Sequence, residues 1–100
     1  MRSIDTNILL YAQNADCREH RRASGFVAEC AGRSDVVLCE LVLVELYILL
    51  RNPAVVARPL GAKAAAAVCQ AYRKHPRWRL VEHAPVMDQV WRLATGESFA

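Results

Sequence analysis

Residues 41–50 have the sequence LVLVELYILL, in which every side chain is apolar except that of Glu45. A helix that is apolar on all sides is normally buried in a core. Burying an ionised carboxylate is costly unless a cation or a set of hydrogen bonds compensates for the lost water. The stretch therefore predicts a buried helix in which Glu45 has a partner. An ion pair, a metal ion and a position at the rim of the core all remain open.

A second carboxylate, Asp5, lies where the chain changes from a short predicted strand ending at Ile4 to a helix. Asp5, Thr6 and Asn7 are turn and N-cap residue types, and residues 8–12 continue as a helical apolar face. Functional groups of open parallel α/β sheets gather at the carboxyl ends of the strands. Two interpretations stay open for Asp5: a plain helix N-cap, or one half of an acidic site.

These stretches carry a family resemblance. The sequence IDTNILL at 4–10 is followed by LVLVELYIL at 41–49, then by Arg-Asn-Pro at 51–53 and His-Pro at 75–76. Together they resemble the PIN-domain family, in particular the VapC-type toxins of bacterial toxin–antitoxin pairs. The resemblance implies an α/β fold with a Rossmann-like parallel sheet flanked by helices. It also implies a divalent-metal-dependent endoribonuclease that hydrolyses RNA phosphodiester bonds.

The resemblance also implies roles for particular residues. Asp5 and Glu45 would be catalytic and would hold Mg²⁺ or Mn²⁺, while Thr6 and Asn7 would position substrate or water. Family members have a third and often a fourth acidic ligand in a segment that follows the last predicted helix. We assign neither of these ligands to residues 1–100.

The composition limits the classes of protein to which the chain can belong. The chain has 100 residues, of which 54% are apolar and 23% charged, which is ample for one small domain and excludes a disordered chain. The net charge of +3 is compatible with a nucleic-acid partner without requiring one. The four cysteines form no Cys-x-x-Cys pair and are expected to be reduced and buried, as in a cytoplasmic protein. The longest apolar run is too short to span a membrane.

The pattern along the chain predicts the element order β-α-α-β-α-α-β-α and hence a parallel sheet with right-handed crossovers. Apolar spacing and turn residues place the elements after the first helix as follows: a helix over about 17–31, a strand over 36–38, the Glu45 helix, a helix over 61–75, a strand over 78–82 and a last helix from Pro85.

The family sheet has strand order 3-2-1-4-5, and the predicted elements stop before its last two strands. We therefore expect residues 1–100 to be a single PIN-like domain that is truncated at its C-terminus. Asp88 and Glu97 do not match the missing acidic positions. Alternatively, a second copy completes the sheet, because an open edge invites pairing. A homodimer or swapped assembly is expected, with Tyr47 and Leu50 of the Glu45 helix as candidate interface residues.

Other functions remain open. The main alternative is a catalytically inactive PIN-like module that binds RNA or protein, and another is a small α/β binding domain in which Asp5 is a cap and Glu45 an ion-pair partner. If the chain is a toxin, its partners are RNA and a cognate antitoxin protein that masks the acidic site.

The basic cluster early in the second helix, Arg18, His20, Arg21 and Arg22, has two interpretations: a solvated helix face, or a contact with RNA phosphates. None of the three histidines is expected beside Asp5 or Glu45. The two tryptophans, Trp78 and Trp91, are expected in the core or an interface rather than as base-stacking platforms.

Overall fold

A computed structural model describes residues 2–81 of the chain. The predicted last helix from Pro85, together with His83, Asp88, Trp91 and Glu97, lies outside these residues.

Within the described part, three strands and four helices follow one another in the predicted order β-α-α-β-α-α-β. The strands are β1 (Arg2–Ser3), β2 (Val36–Cys39) and β3 (Arg79–Val81), and the helices are α1 (Thr6–Gln13), α2 (His20–Ala31), α3 (Glu40–Leu50) and α4 (Ala62–Arg73). None of these helices combines the length and the apolar character needed to cross a membrane.

The sheet is parallel, with β2 between β1 and β3. Arg2 of β1 is opposite Val36, and Leu80 of β3 is opposite Leu38. This order is the 3-2-1 part of the predicted sheet, and it confirms the predicted fold class. Because all three strands run in one direction, the chain segments that follow them meet at one edge of the sheet.

The core lies between the sheet and the helices. Its most deeply buried large side chains are Ile4, which follows β1, Leu9 of α1, Val36 and Leu38 of β2, and Leu46 of α3. Trp78 is also buried, and its indole Nε1 donates a hydrogen bond of 2.9 Å to the carbonyl oxygen of Cys30. Of the two predicted positions for Trp78, the core or an interface, the core is the one observed. All four cysteines are free thiols; Cys30 and Cys69 are buried, whereas Cys17 and Cys39 are only half-buried.

Helix α2 begins three residues later than predicted. The backbone amide of Asp16 donates to the Asn14 side chain at 3.2 Å, and the amide of Cys17 donates to the Asn14 carbonyl oxygen, also at 3.2 Å. These bonds close a turn, so the helix starts at His20. The apolar spacing of α2 predicts an inward face of Ala23, Phe26, Val27 and Cys30. This face is confirmed, since Ala23 and Cys30 are buried and Phe26 and Val27 pack against the core.

Two predictions about helix faces need correction. Helix α3 is not buried all round: Val44 is 49% and Ile48 is 57% exposed. In α4 the apolar spacing predicts an inward face of Leu60, Ala64, Val68, Ala71 and Tyr72. Leu60, Val68 and Tyr72 pack against the core, but Ala64 and Ala71 are exposed, and Ala65 and Cys69 are buried instead. The α4 face is fixed by its packing on α3, where the Cys69 thiol lies 3.4 Å from the Leu43 carbonyl oxygen.

Candidate functional site

Asp5 occupies the predicted position between the first strand and the first helix. It follows β1 and the buried Ile4, and its extended backbone makes it the N-cap of α1. Its carboxylate Oδ1 accepts a hydrogen bond of 3.1 Å from the backbone amide of Ile8. The side chain is exposed. Asp5 is therefore a helix cap whose second carboxylate oxygen is not used by this bond.

Glu45 is brought to the same place by α3. Its Oε2 accepts a hydrogen bond of 3.1 Å from the hydroxyl of Thr6, which is 39 residues away in sequence. Thr6 is only 8% exposed and is the one buried polar residue among residues 2–81. The hydroxyl needs an acceptor because a buried, unpaired polar group is costly. The bond therefore ties the start of α1 to the middle of α3.

Burial of Glu45 with an ion-pair partner, one of the alternatives that the sequence leaves open, is not observed. The residue is exposed, because Leu43, Leu46 and Leu50 turn the other side of α3 towards the core. Its partner is a hydroxyl, and within residues 2–81 it makes no ion pair. The structure thus shows the position at the rim of the core, and a metal ion at Glu45 stays a prediction.

The four predicted site residues lie together. Asp5, Thr6, Asn7 and Glu45 line one shallow depression with a cavity volume of about 230 Å³, and Leu49 completes its wall. The depression lies beyond the carboxyl end of β1. Its polar lining consists of two carboxylates, a hydroxyl and an amide. Neither carboxylate pairs with a cationic side chain in the described part of the chain.

This set of donors fits a hard divalent cation. Mg²⁺ prefers oxygen ligands, retains several waters and is usually held by one or two carboxylates together with substrate phosphate. The depression provides two carboxylates and is open to solvent. Over residues 2–81, no group of three or more histidine, cysteine or acidic side chains could hold a metal ion. Asp5 and Glu45 would thus hold such a cation as a pair, with water completing its shell.

The histidines in the described part of the chain do not line the depression. His20 Nδ1 lies 2.9 Å from the carbonyl oxygen of Tyr11, at the junction of α1 and α2. His75 stacks on Trp78 with 4.2 Å between the ring centroids. Both agree with the expectation that no histidine lies beside the acidic pair.

Three arginines elsewhere form ion pairs that the sequence did not reveal. Arg58 makes two hydrogen bonds of 3.0 Å to Asp16, and Arg73 pairs with Glu40 at 2.8 Å. Arg33 and Asp35, two residues apart, form a third pair at 2.6 Å. Hydrogen bonds from Arg33 lower the pKa of Asp35 to about 2. The first two pairs join residues 42 and 33 positions apart, so no local pattern could have indicated them.

The described residues form a parallel α/β domain with two carboxylates beyond the carboxyl end of its first strand. This arrangement is typical of α/β domains that carry a functional site at that edge of the sheet. The sequence matches the PIN domain family over residues 3–97. The chain therefore belongs to the PIN-domain family, which confirms the resemblance carried by the Asp5 and Glu45 stretches.

Individual relatives agree with this assignment. Over 94 residues the chain is 66% identical to Ribonuclease VapC24 from two strains of Mycobacterium tuberculosis. The match covers 94% of this chain but only 65% of the length of those relatives.

A solved structure supports the fold. The crystal structure of Mycobacterium tuberculosis VapC20, which is described as a sarcin–ricin loop cleaving toxin, matches with a TM-score of 0.71. The match covers all of this chain and 71% of that one, at 23% sequence identity. At this identity, the likeness establishes the fold alone.

Proposed function

We propose that this protein is a divalent-metal-dependent endoribonuclease and the toxin of a toxin–antitoxin pair. The observation that carries the proposal is the depression that Asp5 and Glu45 both line, with Thr6 bonded to Glu45. Membership of the PIN-domain family and the 66% identity to a ribonuclease support the reaction type.

In this proposal Asp5 and Glu45 hold Mg²⁺ or Mn²⁺ through the carboxylate oxygens that their intramolecular bonds leave free. Asp5 uses Oδ1 for the α1 cap, and Glu45 uses Oε2 for the Thr6 hydroxyl. When bound, the cation would lower the pKa of a coordinated water and neutralise charge on the phosphodiester. Asp5 and Glu45 supply two of the acidic groups that the family resemblance implies, and we assign no others within residues 2–81.

Thr6 and Asn7 act on this pair in different ways. Thr6 is buried and donates its only hydroxyl hydrogen to Glu45, so it fixes the orientation of that carboxylate. The exposed Asn7 lines the same depression, where its amide nitrogen would donate to a phosphate oxygen or a water. Thr6 is thus a positioning residue, and Asn7 a substrate-binding residue.

The partners follow from the same function. They are RNA, a cognate antitoxin that covers the acidic depression, and a second copy of the chain, all in the cytoplasm.

The interface with a second copy that the sequence predicts needs one correction. Leu50 is only 2% exposed and packs in the core, so it cannot contact a second copy; Val44 and Ile48 form the exposed apolar face of α3 instead.

Cleavage of labelled RNA with and without Mg²⁺ or Mn²⁺ tests the proposal. Asp5→Asn and Glu45→Gln each remove a charged ligand while keeping the side-chain shape. Each is expected to lower the cleavage rate by more than the roughly 10- to 100-fold typical of losing an outer-shell partner. Glu29→Gln, which removes an exposed carboxylate from α2, is the matched control and should cleave normally. Equal cleavage by all three variants would refute the assignment.

A catalytically inactive binding module is the second candidate. The observation that favours it is the absence, within residues 2–81, of a group of three or more metal-ligating side chains. Titration with Mn²⁺ separates the two functions. Tight binding that is lost in Asp5→Asn and Glu45→Gln supports the nuclease, whereas RNA binding without metal binding or cleavage supports the module.

A further inference from the structure

A second concave surface lies next to the acidic depression, between α1 and α2. We call it the α1/α2 groove. It has a cavity volume of about 360 Å³. Its lining combines apolar and aromatic side chains with two charged ones: Ile8, Tyr11, Ala23, Phe26, Glu19 and Arg22. No residue of this groove lines the acidic depression, so the groove is a separate surface.

The groove begins where the acidic depression ends. Asn7 lines the depression and the next residue, Ile8, lines the groove; the amide of Ile8 also bonds to the Asp5 carboxylate. Tyr11 lies six residues beyond Asp5, or roughly 9 Å along the helix axis. The groove therefore extends along α1 away from the depression.

The aromatic lining suits a nucleobase. Tyr11 and Phe26 are half-buried, so each ring keeps part of its surface accessible. Phe26 is held from another side by Arg2, whose guanidinium carbon lies 5.5 Å from the ring centroid. Bases stack on such rings irrespective of their sequence, because every base has a π face.

The charge around the groove is complementary to RNA. Arg18, Arg21 and Arg22 are exposed on or just before the first turn of α2, and within residues 2–81 none pairs with a carboxylate. Glu19 is the only acidic side chain in the groove lining. Unpaired arginines attract phosphates, whereas the acidic depression alone would repel them.

Given the ribonuclease function proposed above, on which this inference rests, we propose that the α1/α2 groove binds a nucleotide of the RNA substrate. The base stacks on Tyr11, and Arg22 contacts a phosphate. The groove holds the strand so that the scissile phosphate lies at Asp5 and Glu45.

Binding of a labelled single-stranded RNA of mixed sequence tests this, with Asp5→Asn as the parent protein so that no cleavage occurs. Tyr11→Leu removes the ring and is expected to weaken binding roughly 5- to 150-fold, while Tyr11→Phe keeps the ring and should bind like the parent. Single abasic positions in the RNA add a second readout. One position should weaken binding to the parent but not to Tyr11→Leu, as expected for two groups in direct contact.

Arg22→Gln tests the phosphate contact. It should weaken binding and reduce the slope of log affinity against log salt by about 0.7 for a single strand. Arg79→Gln is the matched control. It removes the same charge at the start of β3, at the opposite end of the sheet from Asp5, and should leave the slope unchanged.

The outcomes separate this inference from the proposed function. If the unmutated protein cleaves RNA but Tyr11→Leu and Arg22→Gln bind like the parent, the groove inference is refuted and the ribonuclease stands. The groove inference is also refuted if Tyr11→Leu and Arg22→Gln bind RNA like the parent but no longer bind a protein partner, because the groove is then a protein-docking surface. If the unmutated protein neither cleaves nor binds RNA, both are refuted.

Discussion

Asp5 has two separable tasks, and two substitutions should distinguish them. Its Oδ1 caps α1 through the 3.1 Å bond from the Ile8 amide, while its charge is proposed to hold a cation. Asparagine keeps an oxygen at the same place and is as good an N-cap as aspartate, whereas alanine has no acceptor. Asp5→Asn therefore tests the charge alone, and Asp5→Ala tests the charge and the cap together.

The expected loss of stability follows from the cap. Removing an N-cap acceptor costs about 1 kcal/mol, within a range of roughly 0.5–2 kcal/mol. In a domain of this size 1 kcal/mol lowers Tm by about 4–8 °C. Asp5→Asn loses only the favourable interaction of a negative charge with the helix dipole, about 0.3 kcal/mol at an exposed site. The Tm of Asp5→Asn should therefore change by no more than roughly 2 °C.

Thermal unfolding followed by circular dichroism, with and without Mn²⁺, gives the measurement. Without metal, the Tm of Asp5→Ala should fall by several degrees and that of Asp5→Asn should not. A ligand that binds only the folded state raises Tm, so Mn²⁺ should stabilise the unmutated protein and neither variant. Equal Tm losses for the two variants would show that the cap bond is not what stabilises α1. If Mn²⁺ raised the Tm of Asp5→Asn as much as that of the unmutated protein, Asp5 would be a cap and nothing more.

Three further predictions concern other parts of the molecule. Thr6→Val removes the hydroxyl that orients Glu45 and should reduce cleavage roughly 10- to 100-fold, while Thr6→Ser should restore most of it; equal rates for both variants in a cleavage assay would contradict the positioning role. Leu46→Ala, at a fully buried position, should lower the free energy of unfolding by roughly 2–5 kcal/mol in a urea titration, and a smaller loss would mean that the site is less well packed. The pKa of Asp35 is lowered from 3.8 to about 2, so the stability it gains from Arg33 is present above pH 3.8 and is lost as the pH falls through about 2. Asp35→Asn should therefore be less stable than the unmutated protein at pH 7, and the difference should vanish at the acidic end of a pH series; a constant difference would contradict this.

The order of elements and the place of Asp5 were predictable because their signals are local. Apolar spacing in α2 predicted its buried face, and the turn residues that follow a short predicted strand marked the start of α1. The approach of Thr6 to Glu45 was implied only by the family resemblance. A contact across 39 residues leaves no local pattern in a single sequence.

The two corrections to the helix faces have a common cause. In α3 almost every residue is apolar, and in α4 residues 64–67 are all alanine. Neither stretch contains the contrast between polar and apolar positions from which a face is inferred. The orientation of each helix is then decided by its tertiary neighbours, here the core for α3 and the α3 backbone beside Cys69 for α4.

Because Glu45 is exposed, a hydrated cation can approach it more easily than it could approach a buried carboxylate. A buried carboxylate would have needed a permanent counter-charge, and a cation would have had to shed its waters to reach it. At the rim of the core, Glu45 needs only the Thr6 hydroxyl to fix its orientation, and the residue lines a depression open to solvent. Such a site suits Mg²⁺, which gives up its water reluctantly and binds substrate phosphate directly. The apolar residues around Glu45 therefore serve to hold α3 in the core, and the single polar residue among them reaches the edge of the sheet where Asp5 lies.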